Sequence, residues 1–370
     1  MLQDKTTSAV PWTRTALFFG GIPDSALPEK IAAGRHPRTD YLDLTERYPA
    51  HLVTFDDAAR SAAPLVRLLR CGGPYWALAA LARIQPGADL ALTTGEDVGF
   101  PLALVQALSG SARPVSVIVH GSYLGSRKGA WVLRALRGAG AVRFLCLSES
   151  LRRRLIDVHG LPESRVYNIG YGVDTKFFVP DDSPCGAGPS VIASAGMANR
   201  DYQTLVAAVS GLRAAAPFEV KIAADSAWFR SDLDIAGQVL PPEVEVRSYG
   251  DYVGLRRLYA SALCVVVPLR PAVHACGYAV IAEAMAMGKP VITTDIAGRS
   301  DYLVDGETGF YVPPGDAGAL RERIALFAAD PALARRMGRN ARRLMEEKFT
   351  LEAATDRVAA ALGLSAEAGP

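Results

Sequence analysis

The stretch VHACGYAVIAEAMAMGKPVITTDIAG, residues 273–298, decides the fold. Its small opening, Ala275-Cys276-Gly277, precedes a run from Tyr278 to Met287 that is apolar on every side and carries one charge, Glu283. An all-round apolar helix is a buried helix. A carboxylate inside one is costly unless a partner or a polar ligand meets it. Gly288 stops the helix, Pro290 forbids its continuation, and 291–294 reads as a short buried strand. The N-terminus of such a helix offers unpaired N–H groups and partial positive charge, which suits a phosphate.

Outward from this unit the chain alternates in the same way. In the first half strands are expected at 16–20, 52–55, 88–94, 115–119, 142–147 and 165–169, with helices at 58–70, 75–84, 98–109 and 130–137 between them. A turn-rich tract at 181–189, DDSPCGAGP, separates the halves and reads as a linker. The second half repeats the alternation, with strands at 190–195, 219–223, 244–249 and 263–267 and helices at 202–212 and 255–261. Helix–strand alternation in both halves predicts an α/β protein of two doubly wound parallel sheets. The boundaries expected are 1–180, 181–348, and a last helix within 349–370 that is free to pack on either domain.

A chain of 370 residues, half of them hydrophobic, suits two domains of roughly 180 residues. The formal charge of +2 gives no global field for nucleic acid. Five scattered cysteines, Cys71, Cys146, Cys185, Cys264 and Cys276, form no CxxC, so neither a disulfide framework nor a zinc site is expected, which fits a reducing cytosol. No signal-peptide core and no run of about 18 apolar residues is visible, so a cytoplasmic protein, at most peripheral to a membrane, is expected.

Several strand ends carry candidate ligand groups. Gly20-Gly21 reads either as a plain turn or as a loop over a ligand. Glu96 and Asp97 read first as helix caps and second as acceptor contacts. His120-Gly121-Ser122 follows the clearest strand of this half, where a histidine is either an ordinary loop residue or a cleft group. The segment 127–154 holds eight basic residues against Glu149, so it is either a solvated face or, beside Trp131, a dock for anionic lipid. The only DxD, Asp232-Leu233-Asp234, lacks a preceding apolar strand and reads as a solvated turn. No GxSxG, GxxxxGK[ST] or HExxH occurs. A Gly turn at Gly196, the cation Arg200 and the helix N-terminus at Gly277 would together hold a diphosphate, while Glu283 would accept hydrogen bonds from ribose or sugar hydroxyls.

With IVHGS at 118–122, FLCLSESLRRRL at 144–155, VYNIGYGVDTKFF at 166–178, AEAMAMGKPVITTDIAG at 282–298 and LVDGETGFYVPPGD at 303–316, the chain resembles the retaining GT-B glycosyltransferases of family 4. The resemblance implies two Rossmann-like domains facing across a cleft and transfer of a sugar from a nucleotide donor with retention. It implies no cofactor and no metal, since the leaving phosphate takes the acceptor's proton. By resemblance Glu283 is the ribose-binding second Glu of the E-x7-E motif, and His120 lies near the transferred sugar. Gly20 and Gly21 cover the donor phosphates, Cys276, Gly277 and Tyr278 line the diphosphate and sugar, and Arg247 and Tyr249 lie near the base. The chain departs from the pattern at two places. Ala275 stands where the first Glu belongs, and Met197 stands where the phosphate-binding Arg belongs, leaving Arg200 either to take phosphate charge or to pair with Asp201. A small-molecule acceptor of specialised metabolism is expected first. A membrane-peripheral enzyme of lipid or envelope glycans, or a degenerate binding or activating partner, are the alternatives.

Overall fold

The computed structural model describes residues 15–21, 24–48, 50–84, 89–108, 113–180, 189–212, 217–224, 233–235 and 237–364. Six strands, β1 (Thr15–Phe18), β2 (Ala50–Val53), β3 (Leu90–Thr93), β4 (Val115–Val119), β5 (Val142–Cys146) and β6 (Val166–Asn168), form an all-parallel sheet in the order β2-β1-β3-β4-β5-β6. A second parallel sheet uses β7 (Ser190–Ala195), β8 (Phe218–Ala223), β9 (Val244–Arg247), β10 (Ala262–Val267), β11 (Val291–Thr294) and β12 (Gly309–Val312) in the order β12-β11-β10-β7-β8-β9. Helices cover both faces, which is why β4 is buried at all five positions, Ser116 included.

The strand order reverses between β1 and β3 in the first sheet and between β7 and β10 in the second. A crevice opens beyond the carboxyl ends of strands at such a reversal. Gly20, whose N–H donates to Thr94 Oγ1 at 3.1 Å, sits at the first reversal. Gly196 follows β7 at the second. The fold therefore provides two ligand crevices, one per domain.

The chain then returns to its first domain. The helix Leu351–Leu362 packs on the helix Asp40–Arg47: Arg47 Nη1 donates to the Glu352 carbonyl at 3.2 Å, and Tyr48 Oη to Asp356 Oδ1 at 2.8 Å. Arg143 Nη1 reaches back to the Ala361 carbonyl at 2.9 Å, and Leu362 is fully buried. Amphipathic pattern alone could not choose between the two domains. The choice is made by the ion pair of Arg47 with Asp356 and by apolar residues facing the first sheet.

One local expectation changes. The single helix anticipated over 58–70 is two, Phe55–Arg60 and Pro64–Leu69. Pro64 lacks an N–H and its ring clashes with a continuing helix, so it starts the second. Of the linker, 181–188 lies outside the described residues.

Because Leu362 carries the last helix onto the first domain, Leu362→Ala should lower unfolding stability by about 2–5 kcal/mol, read as a fall in the urea midpoint. An unchanged midpoint would mean that this helix is not docked.

Candidate functional site

On the second domain the site begins at Gly277, the N-cap of the helix Tyr278–Ala286. Gly277 has φ +72°, and a Cβ there would lie 2.8 Å from Val267 Cγ1, so conformation and close packing both require glycine. Beside it Cys276 is buried, its thiol pushed up to about 11 by burial, and Asn199 Nδ2 lies 3.4 Å from its sulfur. A thiol so raised stays protonated near neutrality and is no nucleophile.

Glu283 lies deeper on the same helix and is only 7% exposed. Its Oε2 accepts from Tyr259 Oη at 3.0 Å. Burial pushes its carboxyl up to about 8, and the Tyr259 hydrogen bond and the Arg200 charge only partly oppose this. Arg200 is itself buried: Nε donates to the Ala195 carbonyl and Nη1 to the Ala198 carbonyl, both at 2.9 Å. It does not pair with Asp201, which instead caps the next helix through Thr204 N at 3.1 Å and Thr204 Oγ1 at 2.7 Å. Its planar group lies against Gly196, where φ is +94° and an added Cβ would collide with Arg200 Nη2. Arg247 and Tyr249 lie at the far edge of this sheet, stacked at 4.6 Å, with Arg247 also 3.3 Å from Glu245.

On the first domain His120 Nε2 lies 2.9 Å from the Thr94 carbonyl, which can only accept, so Nε2 carries its hydrogen and Nδ1 is the ring atom left for another partner. Glu96 is buried and accepts from the Gly121 N–H at 2.5 Å. Burial raises its carboxyl, while the His120 charge lowers it. Asp97 accepts from Tyr123 Oη at 2.8 Å. Both carboxylates bond within their own domain, Asp97 staying exposed and Glu96 holding the turn that carries His120. Ser122 is exposed beside it.

The two walls touch directly. The Ala275 N–H donates to the His120 carbonyl at 2.7 Å. Gly121 has φ +89°, and a Cβ there would lie 2.9 Å from His274 Cα. Tyr278 Oη meets Ser148 Oγ at 2.8 Å, and Asp301 accepts from Glu149 N at 3.0 Å and Asn168 Nδ2 at 2.8 Å. The Tyr278 side chain therefore joins the domains, leaving only its backbone N–H for a ligand.

Between the walls lies a cavity of about 160 Å³, lined by Glu283 from the second domain and by Asp40, Thr94, Tyr171 and aliphatic residues from the first. Tyr252 completes it. Asp40, Tyr252 and Tyr259 had no sequence signal. Tyr171 did, in the glycine-flanked Gly170-Tyr171-Gly172. The structure also shrinks the basic face: Arg152 and Arg153 pair with Glu149 at 3.1 Å, and Arg137 and Arg143 bond to backbone carbonyls. Arg127, Lys128, Trp131 and Arg134 stay exposed. Asp232 lies outside the described residues, and Asp234, half-buried in a turn, lies 3.2 Å from Arg270. Among the described residues no cluster of three or more His, Cys, Asp or Glu is placed to hold a metal ion, and no helix is long and apolar enough to cross a membrane.

Residues 44–177 match the family model Glycosyltransferase Family 4, and residues 201–344 match Glycosyl transferases group 1. Over 68 residues the chain is 44% identical to a capsular polysaccharide biosynthesis glycosyltransferase of Staphylococcus aureus, a segment covering 18% of each chain. Over 80 residues it is 36% identical to the alpha-D-kanosaminyltransferase of Streptomyces kanamyceticus, covering 22% of this chain and 21% of that one. These matches thus span about a fifth of each relative's length. Among solved structures it is similar to Anabaena HepE in complex with UDP and glucose, with TM-score 0.71, 18% identity, and 94% and 99% of the two chains covered. It is also similar to the sucrose-phosphate synthase of Thermosynechococcus elongatus, with TM-score 0.69, 20% identity, and 94% and 98% covered. The fold is GT-B, and the chain joins a glycosyltransferase family 4 domain to a glycosyl transferases group 1 domain.

Proposed function

We propose that the protein is a retaining glycosyltransferase that moves a sugar from a nucleotide-sugar donor to a small-molecule acceptor. The observation that carries this reading is the convergence, on one wall of the cleft, of a glycine-capped helix N-terminus, the buried cation Arg200 and the buried carboxylate Glu283. The helix N-terminus and Arg200 receive the diphosphate, and Glu283 accepts from the donor ribose. Gly20, Gly21 and Gly196 let the donor approach the backbone, with Cys276, Gly277 and Tyr278 lining it and Arg247 and Tyr249 toward the base. His120, Gly121 and Ser122 stand on the acceptor side.

The proposed step needs no resident cofactor or metal. The acceptor oxygen bonds to the anomeric carbon as the bond from that carbon to the phosphate breaks. The acceptor's proton passes to the departing phosphate oxygen on the same face. The protein contributes positioning and charge stabilisation. The matches to a capsular polysaccharide biosynthesis glycosyltransferase and to an alpha-D-kanosaminyltransferase make both kinds of acceptor worth trial. The exposed Trp131 among Arg127, Lys128 and Arg134 favours a membrane-peripheral form of the same reading, and co-sedimentation with anionic vesicles tests it. Ala275 and Met197 favour a degenerate binding partner, which a broad donor panel without turnover would support.

Melting of the protein with UDP-, GDP-, ADP- and TDP-sugars tests the main reading, since a ligand held only by the folded state raises the midpoint. Glu283→Ala should weaken the donor that binds by about 1.5–3 kcal/mol, roughly 10- to 150-fold. Unchanged affinity would remove Glu283 from the donor site.

The raised Glu283 carboxyl also predicts a pH dependence. Between 4.5, its ordinary value, and about 8, the folded state holds a proton that the unfolded state has released. Stability of the unliganded protein should fall as pH rises through that window. Glu283→Gln should flatten this contribution, seen as a wild-type-minus-variant difference in Tm that changes across the window. A constant difference would show that Glu283 does not titrate there.

A further inference from the structure

We propose that the 160 Å³ cavity beside Glu283 is the acceptor subsite and that it takes a ring compound with a hydroxyl-bearing edge and an apolar body, its hydroxyls held by Asp40, Tyr171 and Tyr252. The inference rests on the transferase reading and names the acceptor class of that site.

The apolar half of the cavity is built from strand ends and helix faces. Leu17, Leu92, Ile118 and Leu147 come from the first sheet or its edge, and Ala354 and Val358 from the returning helix. All six are buried. The volume matches that of apolar cavities of about 150 Å³ that hold one benzene-sized ring. An open-chain polyol would leave these walls wet.

The polar half is a set of groups with few protein partners among the described residues. Asp40 opens the helix Asp40–Arg47, and its side chain's only hydrogen bond among the described residues is from the neighbouring Tyr41 N–H at 2.8 Å. Its surface is accessible, yet it faces a concavity whose walls raise its carboxyl, against the pull of Tyr41 N–H and the His120 charge. The nearby cations are committed elsewhere: Arg38 to Asp43 at 2.5 Å, Glu46 and Glu352, and Lys176 to Glu352 at 2.6 Å. The hydroxyls of Tyr171 and Tyr252 likewise make no hydrogen bond to described residues. Tyr252 is fixed by His36, its ring 4.5 Å away edge-on, and by Phe177 and Phe178 at 6.4 Å.

One carboxylate acceptor and two phenolic hydroxyls, each able to donate and accept, match neighbouring hydroxyls on one ring edge. Polar groups converging on an apolar pocket are the usual build of a small-molecule site. The position also suits transfer. The cavity ends at Glu283, the proposed ribose ligand, while Asp40 lies close enough to His120 to feel its charge. An acceptor lodged by Asp40 would direct a further hydroxyl toward the donor. Asp40 is then an acceptor-binding residue, and the proton of the reacting hydroxyl still leaves with the phosphate.

The test is direct binding of trans-1,2-cyclohexanediol, followed by ligand-observed NMR, with glycerol as the hydroxyl-bearing control that lacks an apolar body. Wild type should bind the diol and not glycerol. Asp40→Asn, which keeps the shape, should weaken the diol at least 10-fold, and Val358→Phe, which fills the cavity, should abolish binding. With a working donor, Asp40→Asn should raise the acceptor KM and leave the donor KM within twofold. The proposal is overturned if wild type does not bind the diol, if glycerol binds equally well, or if Asp40→Asn binds the diol like wild type. Diol binding that depends on Asp40, with no nucleotide sugar raising the melting midpoint, would sink the transferase reading and leave the ring-alcohol site. A donor that binds and is used, with diol binding indifferent to Asp40, would sink the acceptor site alone.

Discussion

The hydrogen bond from the Ala275 N–H to the His120 carbonyl sets the geometry on which the site depends. It joins the loop leaving β4 to the loop leaving β10, backbone to backbone. The contact is tight enough that Gly121 and His274 tolerate nothing larger between them. Each domain brings its own strand-order reversal to the cleft, and this contact fixes how far apart the two crevices stand. Tyr278 and Asp301 brace the same junction from the side, with Ser148, Glu149 and Asn168 as their partners. Closely packed backbone with satisfied polar groups makes a stiff joint.

The electrostatics of the cleft follow from what is absent around its carboxylates. Glu283 sits too deep in its helix to gain from the N-terminal partial charge, which fades within the first turn. Its one hydrogen-bonded partner among the described residues is a neutral hydroxyl, and Arg200 acts on it at a distance while Nε and Nη1 of Arg200 donate to backbone carbonyls. Asp40 on the opposite wall likewise has no cation in hydrogen-bond contact among the described residues. A cleft whose acids face neutral hydroxyls and apolar walls favours ligands that supply hydroxyls. In the proposed reading the guanidinium of Arg200 is the counterpart of the donor diphosphate on the same wall.

Much of the architecture was legible because it rests on local rules. Buried parallel strands read as continuous apolar runs, and the glycine after β7 and the Gly277–Gly288 frame of the central helix punctuate them as turn chemistry requires. The carboxylate in an all-apolar helix was equally plain. Other features had no such mark. Pro64 divided a helix that periodicity alone would have joined, and the role of Glu96 could not be chosen between cap and ligand until the Gly121 N–H was seen to occupy it. Asp40 and Tyr252 stand in ordinary polar and amphipathic contexts, so nothing in their neighbours singles them out.

The sequence by itself determined two wound parallel sheets, the helix that carries Glu283, and the strand ends where ligand groups gather, because periodicity, glycine and proline act over a few residues. Only the tertiary structure decided which groups remain available. Arg200 rests on carbonyls instead of Asp201, Tyr278 braces the domains, Glu96 supports a turn, and Asp40, Tyr171 and Tyr252 are left facing one cavity. The physical reason is that a polar side chain's function depends on whether its hydrogen bonds are already made. That is settled by partners distant in sequence, here brought together by the backbone contact of Ala275 with His120 and by the last helix folding back on the first domain.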